Sequence, residues 1–473
     1  MDFTKKRNMR TILILLITLL TSFPSAAQDI TGQWNGILKV QGMQLRVIFN
    51  VSETDDGFSA TMDSPDQGVK GIPVTHTTFD NPIINFEVSD AGINYDGTLN
   101  ENEITGTFKQ NGMEFPMNLS RSVLEKEITK KLQEPVKPYP YTVEEVSFEN
   151  TEANISLSGT LTLPEKDGNF PVVILISGSG PQNRDEEILG HKPFLIISDY
   201  LTNNGIAVLR YDDRGVGQSE GDFNTATSAD FATDVESAIA YLNTRKEINK
   251  EKIGLVGHSE GGLIAPMVAS KSNDVSFIVL LAGPGIQGDK LLLLQQALIA
   301  KASGVAEADI NIALETNAKL FELAVNSTDD QKLKADLTNV LNETLKNDSS
   351  IEIPGGMTKD EFLSMHLNQI LTPWMLYFLK YNPAISLEKV KCPVLALNGE
   401  KDLQVPPKEN LTALENALKK GGNKSVTIIE FPNLNHLFQE CETGSPDEYA
   451  TIEQTFSPKV LEEITKWIQL QTK

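Results

Sequence analysis

The chain has 473 residues, of which 40% are hydrophobic, 7% aromatic and 22% charged. That is a globular composition, long enough for two or three cores, and it excludes a disordered or fibrous protein. Lys and Arg number 41 against 64 Asp and Glu, a net charge of -23, so a phosphate backbone would be repelled and nucleic acid is excluded as the expected partner.

Lys5, Lys6, Arg7 and Arg10 precede an apolar run from Thr11 to Leu20 and then Ser25-Ala26-Ala27. This is the three-part pattern of a secretory signal, with cleavage near Ala27. The run is about half of the roughly 20 residues that span a bilayer, and no Cys follows it to accept a lipid. The expectation is an exported protein, periplasmic or extracellular, with residues 1–27 as signal peptide and no stable membrane insertion once they are removed.

From residue 28 to 121 the pattern is all-β. Short alternating runs at Gln44–Val51, Phe58–Met62, Ile83–Val88, Ile93–Leu99, Ile104–Phe108 and Glu114–Leu119 are broken by Asp55-Asp56-Gly57 and Asn111-Gly112, which are hairpin signals. A meander closed into a small barrel or sandwich follows, with Trp34 and the Phe residues in its core. Residues 122–141, charged and then carrying Pro135, Pro138 and Pro140, read as a stiff linker.

The pattern changes in residues 142–473. Continuous apolar strands at Val172–Ile176, Ala207–Tyr211, Ile253–Val256, Phe277–Leu281, Val394–Leu397 and Val426–Phe431 have helical segments such as Phe231–Leu242 and Leu411–Leu418 between most of them. That alternation predicts an α/β fold with a mostly parallel sheet covered on both faces. Between about residues 284 and 387 there is no good strand but several helical stretches, at Lys290–Ala302, Asp309–Val325 and Lys359–Leu379, which predicts a helical cap inserted at the strand ends.

The chemistry is concentrated at those ends. Gly257-His258-Ser259-Glu260-Gly261 follows a strand and opens a helix, the context in which G-x-S-x-G forms a nucleophile elbow and exposes the Ser259 hydroxyl. A serine hydroxyl needs a base, and the base needs a carboxylate to orient it, in the chain order Ser, acid, His. His436, in the loop after Val426–Phe431, is the predicted base, because the only other later histidine, His366, falls inside the cap. Two carboxylates, Glu400 and Asp402, follow the strand Val394–Leu397; the Gly399-Glu400-Lys401-Asp402 turn with Val405-Pro406 resembles the acid loop of α/β-hydrolases, which implies Asp402 as the acid, with Glu400 as fallback. Two backbone N–H donors must face the oxyanion. Glu260, at the helix start, supplies one. The loop Ser177-Gly178-Ser179-Gly180-Pro181 supplies the other, with Ser179 preferred and Gly178 second.

The elbow, the Ser177-Gly178-Ser179-Gly180-Pro181-Gln182 loop followed by Arg184-Asp185-Glu186, the Asp213-Arg214-Gly215-Val216-Gly217-Gln218-Ser219 segment, and Trp374 with Phe378 in the cap together resemble the EstD-type bacterial esterases. These are α/β-hydrolases grouped with the serine aminopeptidase-like family. The resemblance covers about Tyr141 to Lys473 and departs at Ser177, where many relatives have histidine. It implies an α/β-hydrolase fold and cleavage of a small-molecule ester; Trp374 and Phe378, with Met375 and Tyr377, are candidates to line the pocket, although a cluster at such helical spacing is more often packing.

Gly283-Pro284-Gly285-Ile286-Gln287-Gly288 matches the dinucleotide pattern G-x-G-x-x-G but runs into helix after helix, without the returning strand and acid that a dinucleotide site requires. No cofactor is expected. With five scattered histidines, Cys392 and Cys441 as the only cysteines, and neither CxxC nor HExxH, no metal site is expected either. The two cysteines are expected as free thiols. The function expected is a secreted serine hydrolase of carboxylic esters. An aminopeptidase-like serine peptidase and a non-catalytic binding protein on a hydrolase scaffold are the rivals, and oligomeric state is not legible.

Overall fold

A computed structural model of the chain describes residues 29–40, 43–55, 57–67, 69–110, 113–124, 131–347, 353 and 358–473. The segment read as a signal peptide and the Asn111-Gly112 turn lie outside these residues. The chain divides into two compact units between residues 126 and 127.

The N-terminal unit holds strands β1 (Gly32–Val40), β2 (Met43–Thr54), β3 (Gly57–Ser64), β4 (Val69–Pro73), β5 (His76–Asp80), β6 (Ile83–Val88), β7 (Ile93–Asn100), β8 (Glu103–Gln110), β9 (Met113–Pro116) and β10 (Leu119–Ser120). They form one sheet in the order β4-β3-β2-β1-β10-β8-β7-β6-β5, with β9 beside β8. Strands β6, β7 and β8 pair antiparallel in register. Residues alternate between buried and open along β7, so one face fills a core and the other meets solvent. Trp34, Phe49, Phe86 and Tyr95 are fully buried, with Phe49 stacked on Phe86 at 4.3 Å and the Arg121 guanidinium over the Trp34 ring.

The sheet is not closed by a hydrogen-bonded ladder: β4 and β5 are its two edges among the described residues. Two residues of chain join those edges instead. Val74 N–H donates to Ala60 in β3 and Thr75 N–H to Glu87 in β6, so the gap of this half-barrel is spanned covalently. The segment Glu114–Leu119, read as one strand, is two, since Met117 leaves the ladder and donates its N–H to Gly106.

The C-terminal unit is built on β11 (Thr142–Asn150), β12 (Ile155–Leu163), β13 (Phe170–Ile176), β14 (Ala207–Tyr211), β15 (Ile248–His258), β16 (Phe277–Leu281), β17 (Val394–Gly399) and β18 (Val426–Phe431), in the order β11-β12-β14-β13-β15-β16-β17-β18. The first two pair antiparallel and the rest run parallel from β14 onward. The helices are α1 (Pro193–Asn203), α2 (Ser228–Thr244), α3 (Glu260–Ala269), α4 (Gly288–Ala302), α5 (Glu307–Asn326), α6 (Asp330–Asn347), α7 (Lys359–Ile370), α8 (Pro373–Lys380), α9 (Ala384–Leu387), α10 (Pro407–Lys420) and α11 (Pro458–Gln471).

Both faces of the sheet are covered. Val172, Ile174 and Ile176 point into a core shared with α2, α3 and α10. Val173 and Leu175 point into a second core closed by α1 and α11. This is why β13 to β17 read as unbroken apolar runs. Helices α4 to α9 lie between β16 and β17, and Leu320, Leu337, Leu367 and Leu379 give them a core of their own. The stretch Lys359–Leu379 is broken at Pro373, where the Thr372 hydroxyl caps α8 by accepting from Met375 N–H. The Gly285 and Gly288 pattern has a packing explanation: a Cβ on Gly288 would lie 2.2 Å from the Phe378 carbonyl oxygen.

Candidate active site

Parallel register brings the loops together. Ile176 pairs with Gly257, His258 with Leu281, Leu281 with Leu397, and Gly399 with Phe431. Strands β13, β15, β16, β17 and β18 therefore release their chains at one edge, the carboxyl edge where open α/β sheets hold their ligands.

Ser259 sits in the turn from β15 to α3 with φ 51° and ψ -118°, a backbone conformation that costs roughly 1–3 kcal/mol and persists only where its surroundings enforce it. The flanking glycines show the enforcement. A Cβ on Gly257 would lie 2.0 Å from the Gly261 carbonyl oxygen, and one on Gly261 would lie 2.1 Å from that of Ile176. Ser259 is partly exposed between buried neighbours, and its N–H is held by the Leu281 carbonyl.

Asp402 and His436 meet directly. His436 Nδ1 donates to Asp402 Oδ2 at 2.8 Å, and both side chains are buried, at 2% and 4% exposure. The other carboxylate oxygen, Oδ1, accepts from the N–H groups of Gln404 and Val405, each at 2.8 Å. With Nδ1 donating to the carboxylate, the neutral ring presents Nε2 as an acceptor. Glu400 does not compete, because its carboxylate accepts from Asn433 N–H. The loop carrying His436 is fixed from within by Asn435, whose side-chain oxygen accepts from the N–H of Leu437 and Gln439.

Among the described residues Ser259 Oγ makes no hydrogen bond. The structure instead joins the elbow to the histidine loop through His258, whose Nε2 donates to the His436 carbonyl at 3.0 Å with ring centroids 4.9 Å apart. Nucleophile–base contacts are commonly long in unliganded enzymes and tighten in the substrate complex.

The second donor loop is adjacent: a Cβ on Gly178 would lie 3.2 Å from that of Ser259. The Gly178 N–H is not available to an oxyanion, however, since it donates to Glu186 Oε1 at 2.7 Å. That removes Gly178 as a candidate donor. The N–H groups of Ser179 and Glu260 have no partner among the described residues. Ser179 is exposed and Glu260 opens α3, where the helix dipole favours negative charge. The loop is anchored by the end of β14: Asp213 accepts from the Ser177 hydroxyl at 2.7 Å and from Gln182 N–H at 3.0 Å, while Asp212 takes the Arg184 side chain at 2.8 Å and 3.1 Å. Burial pushes the Asp213 carboxyl up to about 8.

Trp374 and Phe378, candidates to line the pocket, are tied into packing. Phe378 is buried among Leu263, Leu291 and Val405 and stacks on Trp374 at 5.2 Å, so it is a core residue. The Trp374 indole N–H donates to the Glu260 carboxylate at 2.8 Å and the Ser228 hydroxyl does so at 2.6 Å. Burial raises the Glu260 pKa, and those two donors oppose the shift. Among the described residues no group of three or more His, Cys, Asp or Glu could hold a metal ion, and both cysteines are free.

Two family models cover most of the C-terminal unit: serine aminopeptidase S33 matches residues 194–352 and the prolyl oligopeptidase family matches residues 360–462. The chain is 28% identical over 339 residues to Esterase EstD of Thermotoga maritima, covering 70% of this chain and 69% of the relative. The chain has the α/β-hydrolase fold. This hydrolase is also 26% identical over 313 residues to an uncharacterized 31.7 kDa protein of Escherichia coli from the traX-finO intergenic region, covering 66% of the chain and 94% of the relative. A solved esterase structure from Pyrococcus furiosus aligns with 74% of the hydrolase and 96% of its own chain, at 17% identity and a TM-score of 0.41.

Two site residues of the hydrolase are not legible in the sequence pattern. Glu186 and His258 are separated by 72 positions, and each reads locally as an ordinary loop or elbow residue. The one available signal is the place of Glu186 in the Arg184-Asp185-Glu186 run after the glycine-rich loop, and nothing local marks His258.

Proposed function

We propose that this hydrolase cleaves carboxylic esters through an acyl-enzyme on Ser259, in a chain exported after removal of residues 1–27. The observation that carries the reading is the buried His436–Asp402 hydrogen bond of 2.8 Å at the strand edge where Ser259 is held at positive φ.

Ser259 Oγ attacks the ester carbonyl carbon as His436 Nε2 takes its proton, and Asp402 holds the tautomer and stabilises the imidazolium. The resulting oxyanion is met by the N–H groups of Glu260 and Ser179. Collapse breaks the bond to the alcohol oxygen, which leaves with the proton from His436. Water then attacks the acyl carbon, passing its proton through His436, and frees the acid and Ser259. The identity to an esterase supports ester substrates. An aminopeptidase would need a carboxylate for the substrate ammonium, and Glu260, beside the nucleophile, is already occupied by Trp374 and Ser228.

Intact-mass analysis of the protein recovered from the exported fraction, treated with a fluorophosphonate, tests both parts. The expected product is a chain beginning near Gln28 with one adduct, absent in Ser259→Ala, and faster turnover of p-nitrophenyl butyrate than of aminoacyl-nitroanilides. An unlabelled Ser259 would remove the serine-hydrolase reading, and retention of residues 1–27 would remove export with cleavage.

A further inference from the structure

His258 precedes the nucleophile, is buried, and takes no part in the chemistry above. Its ring is bonded at both nitrogens: Nδ1 lies 2.9 Å from Glu186 Oε1 and Nε2 lies 3.0 Å from the His436 carbonyl oxygen. A carbonyl can only accept, so Nε2 carries a proton. A carboxylate can only accept too, and Glu186 Oε1 already receives the Gly178 N–H at 2.7 Å. Imidazole is the stronger base of the two, so the shared proton belongs on Nδ1. The ring therefore holds two protons and a positive charge.

The remaining surroundings are consistent with a fixed, water-poor pair. Phe194 and Ile197 of α1, Leu281 at the end of β16, Leu437 and Phe456 close around Glu186 and His258. The titratable groups that face the ring are Glu186, the His436 ring at 4.9 Å and, at longer range, Asp402. Burial opposes the charge on His258, but Glu186, the His436 carbonyl and Asp402 outweigh it and raise its pKa. Among the described residues Glu186 Oε2 is buried without a partner, so the carboxylate is held through the two bonds made by Oε1.

We propose that Glu186 and protonated His258 form a buried positioning pair that fixes the Ser179 amide and the His436 ring relative to Ser259. The pair reaches each of the three moving parts. Glu186 holds Gly178, whose neighbour Ser179 presents the free N–H. His258 is covalently joined to Ser259. Through Nε2 the same ring holds the backbone of His436 while Asp402 orients its side chain. Neither residue touches substrate, and loss of one proton from His258 releases either the Gly178 loop or the histidine loop. The pair deepens the Ser259 reading and rests on it.

Two measurements test it. In 15N-histidine-labelled protein without substrate, with the resonance assigned by its loss in His258→Gln, the His258 ring is expected doubly protonated at neutral pH, above the ordinary histidine pKa of about 6.5. A neutral single-tautomer signal there would overturn the proposal. For Glu186→Gln, which keeps an acceptor oxygen but loses the charge, kcat is expected to fall on the order of 10- to 100-fold, the cost of misplacing a reacting group by a fraction of an ångström to an ångström. KM should change far less, and the alkaline limb of the rate profile should move toward acid. A profile that superimposes on the parent's would equally overturn it. Wild-type protein that resists the fluorophosphonate would instead defeat the Ser259 reading, leaving the ring signal to be read on its own.

Discussion

The two units solve the same problem, burying a large sheet, in opposite ways. In the N-terminal unit the strands alternate, as β7 does between buried and open positions, and one face curls around Trp34, Phe49, Phe86 and Tyr95. In the C-terminal unit β16 is buried at every position, because helices cover both faces of the central strands. An antiparallel half-barrel returns its chain in short turns such as Asp55, so few residues converge anywhere. A parallel sheet sends every crossover back to the same edge, and the ends of β13, β15, β17 and β18 deliver Ser177 to Gln182, Ser259, Asp402 and His436 to one place. Chemistry follows connectivity here more than composition.

Substitutions that should separate the two units make this contrast measurable. The largest effect is expected from Asp402→Asn: the amide cannot hold the productive His436 tautomer, so kcat on p-nitrophenyl butyrate should fall on the order of 10⁴-fold with the unfolding curve little changed. A loss of less than ten-fold would mean that Asp402 orients nothing that matters. Trp34→Ala should do the converse. Emptying a fully buried site costs about 3–5 kcal/mol, seen as earlier denaturant unfolding of the N-terminal unit, while kcat stays within about two-fold. A large loss of kcat would show that the half-barrel contributes to turnover.

A third substitution sharpens the picture of the loop anchor. The Asp213 carboxyl is raised to about 8 by burial, so the native chain keeps a proton that the unfolded chain gives up near pH 4. Stability should therefore fall as pH rises from about 4 to about 8 and level off above, by up to about 1.4 kcal/mol per unit. Compared with the parent in a urea series, Asp213→Asn should show a flatter dependence in that window. Parallel curves would mean that Asp213 is ionised in the fold, held by Ser177 and Gln182.

Much of the C-terminal unit is legible because its signals are local. Ala207–Tyr211 and Val426–Phe431 are strands at the residues where the apolar runs begin and end, and the first is buried at every position, as an unbroken run on a sheet covered on both faces should be. The antiparallel pair β11 and β12 is harder to see. Its Thr142–Asn150 strand alternates with many polar residues, because it is the edge of the sheet. The half-barrel's β4 and β5 are likewise short edge strands, mostly exposed, and carry little hydrophobic signal. Pro373 could have been read as a break in the long cap helix, as Thr372-Pro373 is a helix start by its own chemistry.

The residues themselves determined the elbow at Ser259, the order serine, aspartate, histidine, and the sheet that carries them, because each is set by patterns within a few positions or by the sequence of strands. Only the tertiary structure decided which amide of the Ser177–Gly180 loop stays free, that Phe378 belongs to the core, and that Trp374 donates to Glu260. It also decided that His258 is held between Glu186 and the His436 backbone. Those outcomes depend on partners eight to 178 positions away. Hydrogen bonds between such partners are satisfied only once packing has excluded water, and no local pattern encodes them.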